Sequence, residues 1–352
     1  MSRYWSELVQ QLTPYVPGEQ PKHNALVKLN TNESPYDPSP AVLAAIAGID
    51  GDNLRLYPDP ESTELKRAIA RRNALQPEQV FIGNGSDEVL AHTFQALLKH
   101  YKPLYFPDIS YSFYPVWCDL YDIAHCDIPV ADDFSIDPDT YPAVNGGIVI
   151  PNPNAPTGML MGLDAIRRVL QRSRDSVVVI DEAYIDFGGE SACTLIDSFP
   201  NLLVVQTLSK SRALAGLRVG WAMGHALLID ALERVKNSFN SYPLDVLAQH
   251  AAVASIEDDD YFVQTCQRVI DTRATLSLEM SALGFEVVPS AANFIFVRHR
   301  VRPARELFAA LRERGIIVRY FDKPRINNYL RITIGTNLQC DTLLAALQEL
   351  LG

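Results

Sequence analysis

Residues 202–223 read LLVVQTLSKSRALAGLRVGWAM. The run Leu202–Gln206 has the Val- and Leu-rich continuity of a strand buried on both faces. A hydroxyl-rich basic turn follows it, carrying Thr207, Ser209, Lys210 and Arg218, and a further strand-like run covers Arg218–Ala222. Hydroxyls and an arginine are the donors a phosphate needs. A desolvated lysine can form a Schiff base with a carbonyl, although Lys210 taken alone reads more readily as a surface side chain.

Working outward, four more short apolar runs resemble this one: Val80–Ile82, Leu104–Phe106, Gly147–Ile150 and Val177–Ile180. Helical patterns separate many of them, for example Glu61–Asn73, Asp87–His100 and Leu163–Arg172. Alternation of this kind predicts an α/β domain on a largely parallel sheet. Beyond about residue 225 the pattern becomes α+β, with strand-like Phe285–Val288, Asn293–Val297, Ile316–Arg319 and Leu330–Ile334. We expect an amino-terminal arm over 1–30, a large domain over 31–258 and a small domain over 259–352.

Composition narrows the classes. The 352 residues are 47% hydrophobic and 21% charged, which suits a folded soluble protein rather than a disordered one. Lys+Arg 31 against Asp+Glu 42 leaves a net charge of −11, which argues against a nucleic-acid partner. No apolar run of about 18 residues exists, so no membrane span is expected. The five cysteines are scattered without a C-x-x-C, and the start MSRYWSELVQQL is too polar for a secretory signal. These features predict reduced thiols and a cytoplasmic protein with no structural metal.

Ligands of such sheets gather at the carboxyl ends of the strands. After Ile82 comes Gly83-Asn84-Gly85-Ser86-Asp87, a phosphate cup at a helix start or a capped turn. After Phe106 come Tyr111, Phe113, Tyr114 and Trp117, core aromatics or a stacking face for a flat ring. After Ile150, PNPNAPTG places Asn152 and Asn154 in a proline-rich turn. After Ile180 come Asp181 and, three residues on, Tyr184. A carboxylate at that depth must be paired, or burial raises its pKa. Taken together, a phosphate cup, a ring face, an acid, a phenol and an amine ask for pyridoxal 5′-phosphate.

GNGSDE, PNAPTG, DEAYIDF, TLSKSRALAGLRVG and LRITIG, in that order, resemble the aspartate-aminotransferase fold group and specifically the histidinol-phosphate aminotransferase family. LNTNESP and ANFIFV match as well, so the resemblance spans essentially the whole chain. It implies a large domain with a mostly parallel seven-stranded sheet plus a smaller α+β domain. It implies that Lys210 attaches to the cofactor and, once released, carries the proton between substrate and cofactor. Asp181 would pair with the pyridine nitrogen, Tyr184 with ring oxygen O3′, and Tyr111 would stack on the ring. Gly85, Ser86 and Asp87 would hold the cofactor phosphate with Thr207, Ser209 and Arg218. Tyr57, from the other subunit of a homodimer, would reach the same phosphate. The family has Asn directly before PTG as a second O3′ donor; here that residue is Ala155, and Asn154 stands one position early.

The resemblance also places Arg331, Arg319 and Tyr15 on the substrate. Two arginines and a tyrosine suit the dianion of histidinol phosphate, and Arg331 would serve the carboxylate of 2-oxoglutarate or glutamate in turn. The implied activity is transamination of histidinol phosphate in histidine biosynthesis. The alternatives are an aromatic amino-acid aminotransferase and a PLP-dependent threonine-phosphate decarboxylase.

Overall fold

The computed structural model describes residues 3–16, 18–20 and 26–352. Parts of the expected arm, at residues 1–2, 17 and 21–25, lie outside the described residues. In chain order the strands are β1 (Val27–Lys28), β2 (Val80–Gly83), β3 (Leu104–Pro107), β4 (His125–Ile128), β5 (Gly147–Pro151), β6 (Val178–Asp181) and β7 (Leu202–Thr207). They continue with β8 (Gly220–Gly224), β9 (Phe285–Val288), β10 (Phe294–His299), β11 (Ile316–Ile317), β12 (Arg319–Tyr320) and β13 (Leu330–Thr333).

Strands β2 to β8 form one seven-stranded sheet in the order β2-β8-β7-β6-β5-β3-β4. From β7 to β4 the pairs are parallel. Only β8 runs against its neighbours, antiparallel to both β7 and β2. The sheet is therefore mostly parallel, as expected. Its central strands are Val-, Ile- and Leu-rich because helices cover both faces. Alternate side chains divide between two cores: Ile148, Ile180 and Val204 enter one, and Val149, Val179 and Val205 the other.

One strand escapes the sequence reading and one expectation needs correction. The strand His125–Ile128 is not legible as a buried apolar run, because it is an edge strand with Cys126 and Asp127 exposed. Arg218 was placed within the last strand of this sheet. It precedes that strand, in left-handed backbone at φ 54, which aims the chain around a turn before β8 begins at Gly220.

The second layer is a four-stranded antiparallel sheet, β12-β13-β10-β9, beside the parallel pair β1-β11. Val27–Lys28, placed by sequence in the arm, thus pairs with Ile316–Ile317 near the carboxyl end. The 24-residue helix Asp259–Ala282 starts where the domain boundary was expected, capped by the Asp258 carboxylate accepting from the Tyr261 amide. The small sheet's core includes Phe187, which comes from the loop after β6, and Leu29. The loops beyond β6 and β7 are therefore enclosed by the small sheet's elements on one side and the large sheet on the other.

Candidate active site

The carboxyl ends of β3, β5, β6 and β7 open into one cavity. One wall carries Ser86, Asp87, Tyr111, Asp181, Tyr184, Thr207, Ser209, Lys210 and Arg218; the facing wall carries Tyr15, Arg319, Phe321 and Arg331. Parallel strands deliver their loops to one edge, which gathers the first wall, and the amino-terminal arm and the small sheet supply the second.

Asp181 is the last residue of β6 and is buried. Its Oδ2 accepts a 2.7 Å hydrogen bond from the Tyr114 hydroxyl, while Oδ1 has no partner. Burial pushes the carboxyl up to about 6, and the Tyr114 bond works against that rise. A buried carboxylate with one free oxygen in a cavity wall fits a cationic N–H such as that of a protonated pyridine.

At the other end of this wall the helix Gly85–Thr93 presents its free amides. Gly85 has φ +82, and a Cβ there would stand 2.6 Å from Arg218 Nη2, so only glycine lets the guanidinium reach the cup. Arg218 Nη2 donates to Asp87 Oδ2 at 3.0 Å, and the Tyr111 hydroxyl donates to Asp87 Oδ1 at 3.0 Å. One carboxylate therefore fixes both the cation and the aromatic face. Burial and Asp87 hold the Tyr111 phenol far above its ordinary range, so it stays neutral. Thr207 Oγ1 lies 3.0 Å from Ser209 Oγ and accepts from the Ser209 amide at 3.1 Å. Amides, hydroxyls and a guanidinium converge here as a phosphate requires.

Lys210 stands between these ends. Its Nζ donates to the Thr31 carbonyl at 3.1 Å and lies 5.8 Å from the Tyr184 ring centre. On the facing wall Arg331 Nη2 donates to the Asn30 carbonyl at 2.8 Å, and its Nε has no partner. Burial and the neighbouring Arg319 lower the Arg331 pKa, which favours binding an anion between them. The Phe321 ring centre lies 5.5 Å from the Arg319 guanidinium and 5.6 Å from that of Arg331. Tyr15 packs 4.7 Å from Phe113 and 6.3 Å from Tyr111, which closes the aromatic side.

Two expected residues lie outside the cavity. Asn154 is fully buried, and its Nδ2 donates to the Ile109 carbonyl at 2.8 Å, tying the loop after β5 to the loop after β3. Its Nδ2 is spent on that tie, its buried Oδ1 has no partner, and it does not stand among the residues that line the cavity, where Ala155 does. Tyr57 is 82% exposed and stacks on Tyr242 at 4.7 Å, apart from the cavity of its own chain.

Three contributors were not singled out from sequence. Tyr114 was one aromatic among four, and its contact with Asp181 depends on a helix start that periodicity does not locate. Asn32 reaches Tyr184, and Thr31 reaches Lys210, from a segment far upstream. The motif LNTNESP flagged that segment without assigning it a task.

The sheet order, the strand-end lysine and acid, and the phosphate cup define a class. The chain belongs to the aminotransferase class I and II family, whose model matches residues 24–347. It is 62% identical over 356 residues to histidinol-phosphate aminotransferase 2 of Dechloromonas aromatica, covering 100% of both chains. It is 64% identical over 350 residues to histidinol-phosphate aminotransferase 2 of Thiobacillus denitrificans, covering 99% of this chain and 98% of that one. Among solved structures, it is similar to the histidinol-phosphate aminotransferase of Sinorhizobium meliloti in complex with pyridoxal-5′-phosphate. That match has a TM-score of 0.90 at 26% identity, over 100% of this chain and 98% of the other. The aspartate aminotransferase of Thermus thermophilus with maleate shares the fold, with a TM-score of 0.83 at 19% identity over 99% of each chain.

Proposed function

We propose that this chain is a histidinol-phosphate aminotransferase, moving an amino group between L-histidinol phosphate and 2-oxoglutarate in histidine biosynthesis, with pyridoxal 5′-phosphate held at Lys210. The observation that carries the reading is the pairing, in one cavity, of the unpartnered Asp181 Oδ1 with two guanidiniums on the facing wall. The first asks for a ring N–H, and the second for a substrate with a phosphate. Relatives at 62% and 64% identity carrying the name histidinol-phosphate aminotransferase support the same substrate.

The cofactor, when bound, supplies an electron sink that weakens the C–H bond of the amino-bearing carbon. The chain's own groups do the rest. Asp181 would pair with the ring nitrogen and keep it protonated. Lys210 would hold the cofactor and, once free, its Nζ would carry the proton released by the substrate carbon. Tyr184 would face the ring oxygen and Tyr111 the ring. Gly85, Ser86, Asp87, Thr207, Ser209 and Arg218 would hold the cofactor phosphate. Arg331, Arg319 and Tyr15 take the substrate phosphate, and Arg331 serves the 2-oxoglutarate carboxylate in the second half-reaction. One arginine can serve both anions because guanidinium pairs with phosphate and carboxylate in the same forked geometry.

The chain is proposed to act as a cytoplasmic homodimer. Leu54, Leu56, Tyr57, Phe239 and Tyr242 are exposed large apolar side chains in two segments joined by the Tyr57–Tyr242 stack, as a covered face requires. Tyr57 from one copy would then complete the phosphate cup of the other. Among the described residues no helix is long and apolar enough to cross a membrane. The division into an arm (1–30), a large domain (31–258) and a small domain (259–352) belongs to the same proposal, with Val27–Lys28 of the arm joined to the small domain.

Two measurements test the reading. Borohydride reduction of the purified protein followed by peptide mapping should place the tag on Lys210. Histidinol phosphate should then outcompete phenylalanine as amino donor to 2-oxoglutarate on kcat/KM. A tag elsewhere removes the cofactor assignment. A preference for phenylalanine, or carbon dioxide release from threonine phosphate, replaces the substrate assignment.

A further inference from the structure

Residues 30–32 touch three groups of the cavity in succession. The Asn30 carbonyl accepts from Arg331, the Thr31 carbonyl accepts from Lys210, and Asn32 Nδ2 donates to the Tyr184 hydroxyl at 3.0 Å. The third contact has a consequence for where the Tyr184 proton points.

Asn32 is 1% exposed and sits in left-handed backbone at φ 57, a conformation asparagine tolerates better than most residues. Its amide orientation is fixed by the surrounding bonds. The Asn32 backbone N–H donates to Thr333 Oγ1 at 3.0 Å, so the Thr333 hydroxyl acts there as acceptor. That hydroxyl's own proton goes to Asn32 Oδ1 at 3.1 Å. The Asn32 carbonyl accepts from Asn293 Nδ2 at 3.0 Å. With Oδ1 committed to Thr333, the group facing Tyr184 must be the NH2, which can only donate. The phenol oxygen is then the acceptor, and its hydrogen is left for another partner.

We propose that Asn32 is a positioning residue for Tyr184: its amide occupies the acceptor side of the phenol and so turns the phenol's proton into the cavity, toward the ring oxygen of the cofactor. The proposal rests on the pyridoxal phosphate reading above. It explains how this chain manages with Ala155 at the cavity wall, where the family resemblance leads one to expect a second donor. One donor remains, and Asn32 keeps it from rotating away. Lys210, Arg331, Tyr111 and Tyr114 are the other titratable groups interacting with the phenol.

The test reads the visible absorbance of the holoenzyme against pH. A donor on the ring oxygen weakens that oxygen's hold on the neighbouring imine proton, so losing the donor raises the midpoint of the transition. Tyr184→Phe should raise it by about one unit and Asn32→Ala by about half a unit. The double variant should match Tyr184→Phe alone, because Asn32 acts through the phenol. Overturning results are a wild-type midpoint in Asn32→Ala, the same in Tyr184→Phe, or a double variant whose shift is the sum of the two. Should Asn32→Ala not fold, Asn32→Asp keeps the volume and the left-handed backbone and accepts the phenol's proton. Part of its upward shift should vanish in the Tyr184→Phe background, and an equal shift in both backgrounds overturns the proposal. A wild-type protein without the absorbance band instead refutes the cofactor reading, which separates the two failures.

Discussion

Asp181 is held by a single side-chain donor, the Tyr114 hydroxyl, and burial already lifts its carboxyl to about 6. Tyr114 is itself completely buried, and its phenol is kept neutral by that burial and by Asp181. Removing the hydroxyl in Tyr114→Phe takes away a donor that lowers the Asp181 pKa, so more of the cofactor-free protein carries a neutral carboxyl at neutral pH, which pairs poorly with a cationic ring N–H. Cofactor affinity should fall about tenfold, the equivalent of one hydrogen bond to a charged group, measured by equilibrium dialysis. The same carboxyl sets a pH dependence in the cofactor-free protein. Its folded pKa of about 6 exceeds the ordinary 3.8, so between those values the folded chain holds a proton that the unfolded chain has lost. The stabilising effect is complete below about pH 4 and gone above about pH 6. Asp181→Asn removes the burial of charge, so in urea unfolding without cofactor it should exceed the wild type by about 1–3 kcal/mol at pH 8 and match it near pH 4. Asp181 and Lys210 were legible in sequence because a charged residue at or just past the end of a buried strand has one place to be, whereas Arg218 was legible only through the basic, hydroxyl-rich turn that carries it. Tyr114 and Asn32 were not, since each acts on another side chain across the fold and carries no local signature.

The phosphate cup is made by two elements pressed together. Gly220 opens β8 and pairs with Gly83 of β2, and a Cβ at Gly220 would stand 2.4 Å from the Ser86 amide nitrogen. That contact is with backbone, which cannot rotate aside. Gly220→Ala must push the start of the helix Gly85–Thr93 outward, and with it the amides that face the phosphate. We expect a loss of about 1–3 kcal/mol in thermal or urea unfolding, as for overpacking, with a larger relative loss of cofactor affinity. Equal cofactor affinity in Gly220→Ala would show that the cup tolerates the shift. At this scale the sequence was most readable where strands are central. The stretches Ile148–Ile150 in β5, Val178–Ile180 in β6 and Leu202–Val205 in β7 are buried on both faces and wholly apolar, with the polar residues held to the strand ends. The edge strand β4 has one neighbour and carries His125, Cys126 and Asp127, so its composition does not distinguish it from a loop. The reversed direction of β8 is likewise silent in sequence, because a buried antiparallel strand and a buried parallel one need the same side chains.

For the whole molecule, the exposed Tyr57 decides whether the site is complete within one chain. It is 82% exposed and stacked on the part-exposed Tyr242, so in a monomer it can contribute nothing to the cavity. If two copies share their sites, Tyr57→Phe should weaken cofactor binding about tenfold, the cost of one hydrogen bond to a charged phosphate. The sharing itself is read by mixing chains. A Lys210→Ala chain has no amine for the cofactor, and a Tyr57→Phe chain has an amine but a weakened cup. In a hybrid of the two, the intact Lys210 lies on the Tyr57→Phe chain and the intact Tyr57 on the other. Exchange geometry then restores one fully formed site per hybrid. The restored sites should bind the cofactor with wild-type affinity and return transamination to about half the wild-type rate per dimer. A site confined to one chain gives the opposite result: the hybrid's working site keeps the weakened affinity of Tyr57→Phe, because the only lysine available sits beside the phenylalanine. Sedimentation of the hybrid as a dimer, read alongside the affinity, separates a failure to assemble from a failure to share.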